Sequence, residues 1–211
     1  MSASITGVIL AGGEGRRMSG ADKGMQLLDG RPLVSHVIAR IAPQVGELII
    51  SANRDREQYA ELGHPVVADA PLSGDGGVAS DDAPDGMQRS AGPLAGMLAG
   101  FGAASQPLLL FVPCDMPALP ADLASRLSVA LESAHADVAV AATTGRTHHV
   151  VLLARRDTQA HLRAYVTGGG RKAGAWHAGL KVTTVAFDDE AAAFININTP
   201  EELASFTGPL L

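Results

Sequence analysis

The fourteen residues from Leu10 to Lys23 hold four glycines, two arginines and a lysine, directly behind the apolar run Ile5 to Leu10. Glycines after a strand let backbone N–H groups approach an anion closely, and fixed cations beside them offset its charge. Phosphate is the guest such a loop suits. A P-loop would need lysine after Gly20 in G-x-x-x-x-G-K-[S/T], but Ala21 and Asp22 follow. A dinucleotide fingerprint would need glycine or alanine at position 18, which is methionine. What remains is a loop with three cations, Arg16, Arg17 and Lys23, enough to offset several charges of a triphosphate. The bland reading makes the glycines turn residues and the arginines a solvated surface.

Other residues with chemical capacity stand at the ends of apolar runs. Ser51-Ala52-Asn53 follows Leu48 to Ile50, Asp69 follows Pro65 to Ala68, and Pro113-Cys114-Asp115 follows Leu108 to Val112. Helical spacing of Leu33, Val34, Val37, Ile38 and Ile41, and of Leu94, Met97, Leu98 and Phe101 behind Pro93, places helices between strands; Asp55 to Leu62 reads as another. Alternation of this kind predicts a Rossmann-like, doubly wound α/β fold, a mostly parallel sheet with helices on both faces. Ligands of such folds bind beyond the carboxyl ends of the strands, so four strand ends are expected to face one crevice.

The later half continues the pattern with a helix over Leu123 to Leu131, strands at Val138 to Val140 and Val150 to Leu153, and a helix over Thr158 to Tyr165. A second basic knot, Arg171-Lys172, follows Gly168 to Gly170. Phe194 to Asn198 reads as a strand running into a helix that Thr199 caps, with Pro200 at its first position and Glu202 completing a capping box. Residues 73–90, with four glycines, four aspartates and almost no large apolar residue, read as a flexible surface loop.

The chain has 211 residues, 46% of them hydrophobic, and a formal net charge of -6. One domain is expected, with no global field to draw nucleic acid or an anionic membrane. A single cysteine, Cys114, excludes an internal disulfide framework and a multi-thiolate metal site. Without a targeting segment or a long apolar run, a cytoplasmic protein is expected. Cys114 has no histidine in sequence reach and reads as a packing residue. His148 and His149 are adjacent and cannot share one face of a strand.

Leu10 to Lys23, read as L-A-G-G-x-x-R-R-M-x-G-x-D-K, resembles the opening motif of the MobA family of molybdenum cofactor guanylyltransferases. The likeness continues through Gly30-Arg31-Pro32-Leu33, Ser51 to Arg54, Asp69, Gly92 to Met97, Pro113 to Pro117 and Asn196 to Leu203, nearly the whole chain. It implies a nucleotidyltransferase that joins GMP from GTP to molybdopterin, with Mg2+ and release of pyrophosphate. It makes Leu10, Ala11, Gly12 and Gly13 contacts to the nucleotide and Lys23 a phosphate ligand, while Asp69 helps hold the nucleoside and Asp115 binds the metal. Ser51 stands where asparagine is usual, and Thr147-His148-His149-Val150 replaces an aspartate-histidine-proline pattern. Residues 1–118 would form the nucleotide part and 119–211 the pterin part, with Arg171, Lys172 and Asn196 as pterin contacts. Contact with molybdenum-insertion and molybdoenzyme maturation proteins follows from the same likeness.

The attacking phosphate monoester, with a second pKa near 6, is already mostly dianionic at neutral pH, so no general base is needed. The work is alignment of two anions and neutralisation of the leaving pyrophosphate, which assigns catalysis to Arg17, Lys23 and Asp115. Asn198 is a candidate second oxygen ligand for the metal. Two other readings stand beside this one. A cytidylyltransferase for the same pterin or another phosphorylated metabolite would use the same loop, and a nucleotide-binding module would use it without catalysis.

Overall fold

The structure, a computed structural model, describes residues 4–12, 22–69, 92–208 and 210. Strand β1 (Ile5–Leu10) leads to the two-residue strands β2 (Leu27–Leu28) and β3 (Arg31–Pro32), then α1 (Leu33–Ile41), β4 (Glu47–Ser51), α2 (Arg56–Ala60) and β5 (Val66–Val67). From residue 93 the order is α3 (Pro93–Ala103), β6 (Leu108–Pro113), α4 (Leu123–Ser133), β7 (Val138–Thr143), β8 (Arg146–Arg155), α5 (Gln159–Thr167), α6 (Ala173–His177), β9 (Val182–Ala186) and α7 (Pro200–Ser205).

Seven strands make one sheet in the order β5-β4-β1-β6-β8-β7-β9. Every strand except β8 points the same way: β1 pairs in parallel with β4 and β6, and β8 is antiparallel to both β6 and β7. All six residues of β1 are buried, as a central strand covered on both faces must be, which is why it reads as an unbroken apolar run. On one face Val34, Val37 and Ile41 of α1 and Leu123, Leu127 and Leu131 of α4 pack over the sheet. On the other, Leu94, Leu98 and Phe101 of α3, Leu162 and Val166 of α5 and Trp176 of α6 do so. Each such fully buried side chain contributes about 1.5–3 kcal/mol, so the strand ends between these layers are held rigidly.

Because β8 runs backwards, its amino end lies at the same edge of the sheet as the carboxyl ends of β1, β4 and β6. His148 and His149, adjacent on β8, point to opposite faces of the sheet, as strand geometry requires. His148 stacks on Phe194 with ring centroids 4.8 Å apart, whereas His149 meets His177 of α6.

The expected strand over Phe194 to Asn198 does not form. A run of 3-10 turns ends at Phe194, and the next residues are irregular as far as Thr199. Both edges of β6 are already taken by β1 and β8, so the segment has no ladder to join. Instead the Ile197 N–H donates to the Asp115 carbonyl at 3.0 Å. Arg126 of α4 fixes the approach of this segment: its guanidinium lies 3.9 Å from the Phe187 ring centroid and bonds Asp189 and the Ala186 carbonyl. The cap that follows forms as expected, with the Glu202 N–H donating to Thr199 Oγ1 at 3.2 Å and Pro200 at the first position. The Glu202 carboxylate accepts from the Asn198 N–H, one residue before the cap. Strand β9 and helix α6 had no counterpart among the expected elements. The expected flexible loop, residues 73–90, lies outside the described residues.

Candidate active site

Two clusters of polar side chains stand at the carboxyl edge of the sheet. The first is built from the ends of β1, β4 and β5. The Ala11 N–H donates to the Ser51 carbonyl at 2.8 Å and the Ala52 N–H to the Val67 carbonyl at 2.9 Å, which extends the ladders past the strands and fixes Leu10 to Gly12 beside Ser51 and Asp69. Ser51, fully buried, donates from Oγ to Asp69 Oδ1 at 3.1 Å. Asn53 donates to Asp69 Oδ2 at 2.7 Å and accepts the Asp69 N–H at 2.9 Å. The shorter side chain at position 51 therefore still reaches the carboxylate. Gly12 and Gly96 leave the space beside it open: a Cβ at Gly12 would sit 3.2 Å from Asp69 Oδ1, and one at Gly96 would sit 2.8 Å from Ser51 Oγ.

The second cluster joins the turn before β2, the end of β6 and the segment before α7. The ammonium of Lys23 pairs with Asp115 Oδ2 and donates to Asn198 Oδ1 at 2.7 Å. Asn196 Nδ2 lies 3.4 Å from both oxygens of Asp115, and Asn196 Oδ1 is buried without a partner. Asp115 and Asn198 thus already converge on a point positive charge with hard oxygen atoms, the donor set that suits Mg2+. Among the described residues no group of three or more histidine, cysteine, aspartate or glutamate side chains is placed to hold a metal. A cation here would rest on one carboxylate, amide oxygens, water and the substrate's phosphates, the usual manner of Mg2+.

The residues expected at the site divide accordingly. Leu10, Ala11, Gly12, Ser51 and Asp69 are brought together, as are Lys23, Asp115, Asn196 and Asn198. Gly13 and Arg17, with Arg16, lie outside the described residues. Arg171 and Lys172 are exposed on the connection between α5 and α6 and bond locally: Arg171 donates to the Val166 and Gly170 carbonyls, and Tyr165 donates to the Lys172 carbonyl. Cys114 is buried, and burial pushes its thiol well above the ordinary range, so it is inert packing. Several members had no expected role: Asn53, Gly96, Asp22, Tyr59 and the His149–His177 pair. Asn53 carried a signal in its place at a strand end, and Asp22, Gly96 and His149 stand within the stretches compared with the family; Tyr59 and His177 carried none.

Residues 7–181 match the family described as the MobA-like NTP transferase domain. The chain belongs to the MobA-like NTP transferases. Among its relatives in this family is a molybdenum cofactor guanylyltransferase of Burkholderia lata, 46% identical over 209 residues that cover 97% of this chain and 96% of the relative. A molybdenum cofactor guanylyltransferase of Shewanella amazonensis is 41% identical over 210 residues, covering 100% and 99%. The MobA-like fold is shared with the crystal structure of molybdopterin-guanine dinucleotide biosynthesis protein A from Archaeoglobus fulgidus, with a TM-score of 0.69 and 22% identity over 94% of this chain and 95% of that one. It is shared also with 2-C-methyl-D-erythritol 4-phosphate cytidylyltransferase from Thermus thermophilus, TM-score 0.65 and 16% identity over 93% and 94%. Fold alone therefore leaves the base open. No described helix is long and apolar enough to cross a membrane.

Proposed function

We propose that this chain transfers GMP from GTP to the phosphate of molybdopterin, forming the guanine dinucleotide cofactor and pyrophosphate, with Mg2+ as cofactor and in the cytoplasm. The observation that carries the reading is the pairing of Lys23 with Asp115 and Asn198 at the carboxyl edge, next to the Asp69 crevice, in a chain 46% identical to a guanylyltransferase. Residues 1–118 contribute the nucleotide half, with Leu10 to Gly13, Ser51 and Asp69 around the nucleoside. Residues 119–211 contribute the acceptor half, with Asn196, Arg171 and Lys172 directed to the pterin. Interaction with molybdenum-insertion and maturation proteins belongs to the same reading.

The acceptor phosphate attacks the α-phosphorus of GTP in line, the bond to the bridging oxygen breaks, and pyrophosphate leaves with the electron pair. The dianionic acceptor requires no proton removal, consistent with a site built of lysine, arginine, aspartate and asparagine. Lys23 neutralises charge developing on the phosphates, and Arg17 is assigned to the leaving pyrophosphate. Asp115 and Asn198 would hold Mg2+, which when bound supplies charge neutralisation and alignment of the phosphates. Asp115→Ala is expected to abolish magnesium-dependent pyrophosphate release, whereas the neighbouring Cys114→Ser retains it, because a buried neutral thiol offers no ligand. An inactive serine variant beside an active alanine variant would overturn these assignments.

A further inference from the structure

Lys23 occupies a turn whose two ends are fastened to different parts of the fold. On one side Asp22 accepts two hydrogen bonds at a single carboxylate oxygen, from the Tyr59 hydroxyl at 2.5 Å and from the Gly24 N–H at 2.9 Å. On the other, the Val34 N–H at the start of α1 donates to the Gly24 carbonyl at 3.0 Å. Tyr59 belongs to α2, and its side chain is fully buried in the core under α1 and β4. It is a rigid anchor. Gly24 is required where it stands, since a Cβ there would meet the Tyr59 oxygen at 2.3 Å.

Tyr59 could fill this core position as phenylalanine at no cost in apolar packing, so its hydroxyl is explained only by what it holds. The bond spans 37 residues and ends on the residue next to Lys23, whose ammonium faces Asp115 and Asn198. Burial pushes the Tyr59 hydroxyl strongly upward, with nearby Cys114 and Asp22 adding to it, so it remains a donor. We infer that Tyr59 and Asp22 are positioning residues for nucleotidyl transfer: through the Gly24 turn they fix the direction in which Lys23 presents its ammonium to the triphosphate. The inference rests on the phosphate-binding role proposed for Lys23. It adds two residues, neither of which touches the substrate.

The test is a double-mutant cycle over wild type, Tyr59→Phe, Lys23→Ala and the double variant. It is read in kcat/KM for GTP by pyrophosphate release and, in parallel, in GTP Kd by calorimetry. Misplacing a charged group by about 1 Å costs on the order of a hundredfold, so Tyr59→Phe is expected to lower kcat/KM about ten- to a hundredfold with an unchanged circular dichroism spectrum. In the Lys23→Ala background the same substitution is expected to change the residual value by less than about twofold, because its route of action is gone. Asp22→Asn, which keeps an acceptor oxygen for both donors, retains most activity, and Asp22→Ala resembles Tyr59→Phe. Equal losses in the two backgrounds, or a Tyr59→Phe enzyme with wild-type kcat/KM, would overturn the inference. If wild type itself released no pyrophosphate, the functional reading would fail, and the calorimetric cycle would still decide whether Tyr59 acts through Lys23.

Discussion

His177 shows how one buried side chain ties the fold to pH. Its Nε2 lies 3.0 Å from Nδ1 of His149, and the His149 ring lies against Gly174, where a Cβ would sit 2.9 Å from the imidazole. Burial, and then the neighbouring His149, hold the pKa of His177 down to about 4. An unfolded histidine titrates near 6.5, so between about pH 6.5 and 4 the unfolded chain binds a proton that the folded chain refuses. The contribution of neutral His177 is therefore present above about pH 6.5 and is lost as pH falls through that window. Its size is roughly 2–3 kcal/mol. Denaturant unfolding of wild type and His177→Asn at pH 7 and pH 4 should show a difference in stability loss of that order, and equal losses in the two proteins would contradict it.

At the scale of the element, α3 carries a sharp contrast between two of its glycines. A Cβ at Gly96 would meet Ser51 Oγ at 2.8 Å, Leu10 Cδ2 at 3.1 Å and Asp69 Oδ1 at 3.3 Å, whereas one at Gly102 would meet nothing within 4 Å. Gly96→Ala should cost about 1–3 kcal/mol by overpacking and raise the GTP KM tenfold or more, since it displaces the residues around the nucleoside crevice. Gly102→Ala should stabilise the protein by about 0.5–1 kcal/mol and leave the KM alone. Thermal unfolding and steady-state kinetics on both variants check this, and a silent Gly96→Ala would remove α3 from the site. Strands β1, β4 and β6 were legible in the sequence because central strands are apolar throughout, and the crevice followed from where they end. Edge strand β9 was not, since Val182 to Ala186 alternates between exposed and half-buried positions and its apolar residues Val182, Val185 and Ala186 form no continuous run. Phe194 to Asn198 misled for the opposite reason: its alternation suits a strand, but β6 had no free edge to offer. Tyr59 with Asp22, and His149 with His177, meet across 37 and 28 residues, distances over which spacing carries no signal.

Across the whole molecule, a net charge of -6 surrounds a site that must gather two anionic substrates. On the proposed reading the attraction is local, supplied by the cations Arg16, Arg17 and Lys23 rather than by the global field. Groups that hold phosphate treat every nucleoside triphosphate alike, so the choice of substrate rests with the base. Asp69 is fastened by Ser51 and Asn53 with one bond to each carboxylate oxygen, which leaves acceptor capacity on both oxygens. We propose that guanine's adjacent N–H donors pair with this half-buried carboxylate, a match that cytosine does not offer, and that this favours GTP over CTP. The most direct measurement is pyrophosphate release from GTP, CTP and ATP in parallel, with molybdopterin and Mg2+, for wild type and Ser51→Asn. GTP consumed in strong preference to the other two by both proteins is the predicted result; CTP preferred by both, or no pyrophosphate from any nucleotide, would contradict guanylyl transfer as the function of this chain.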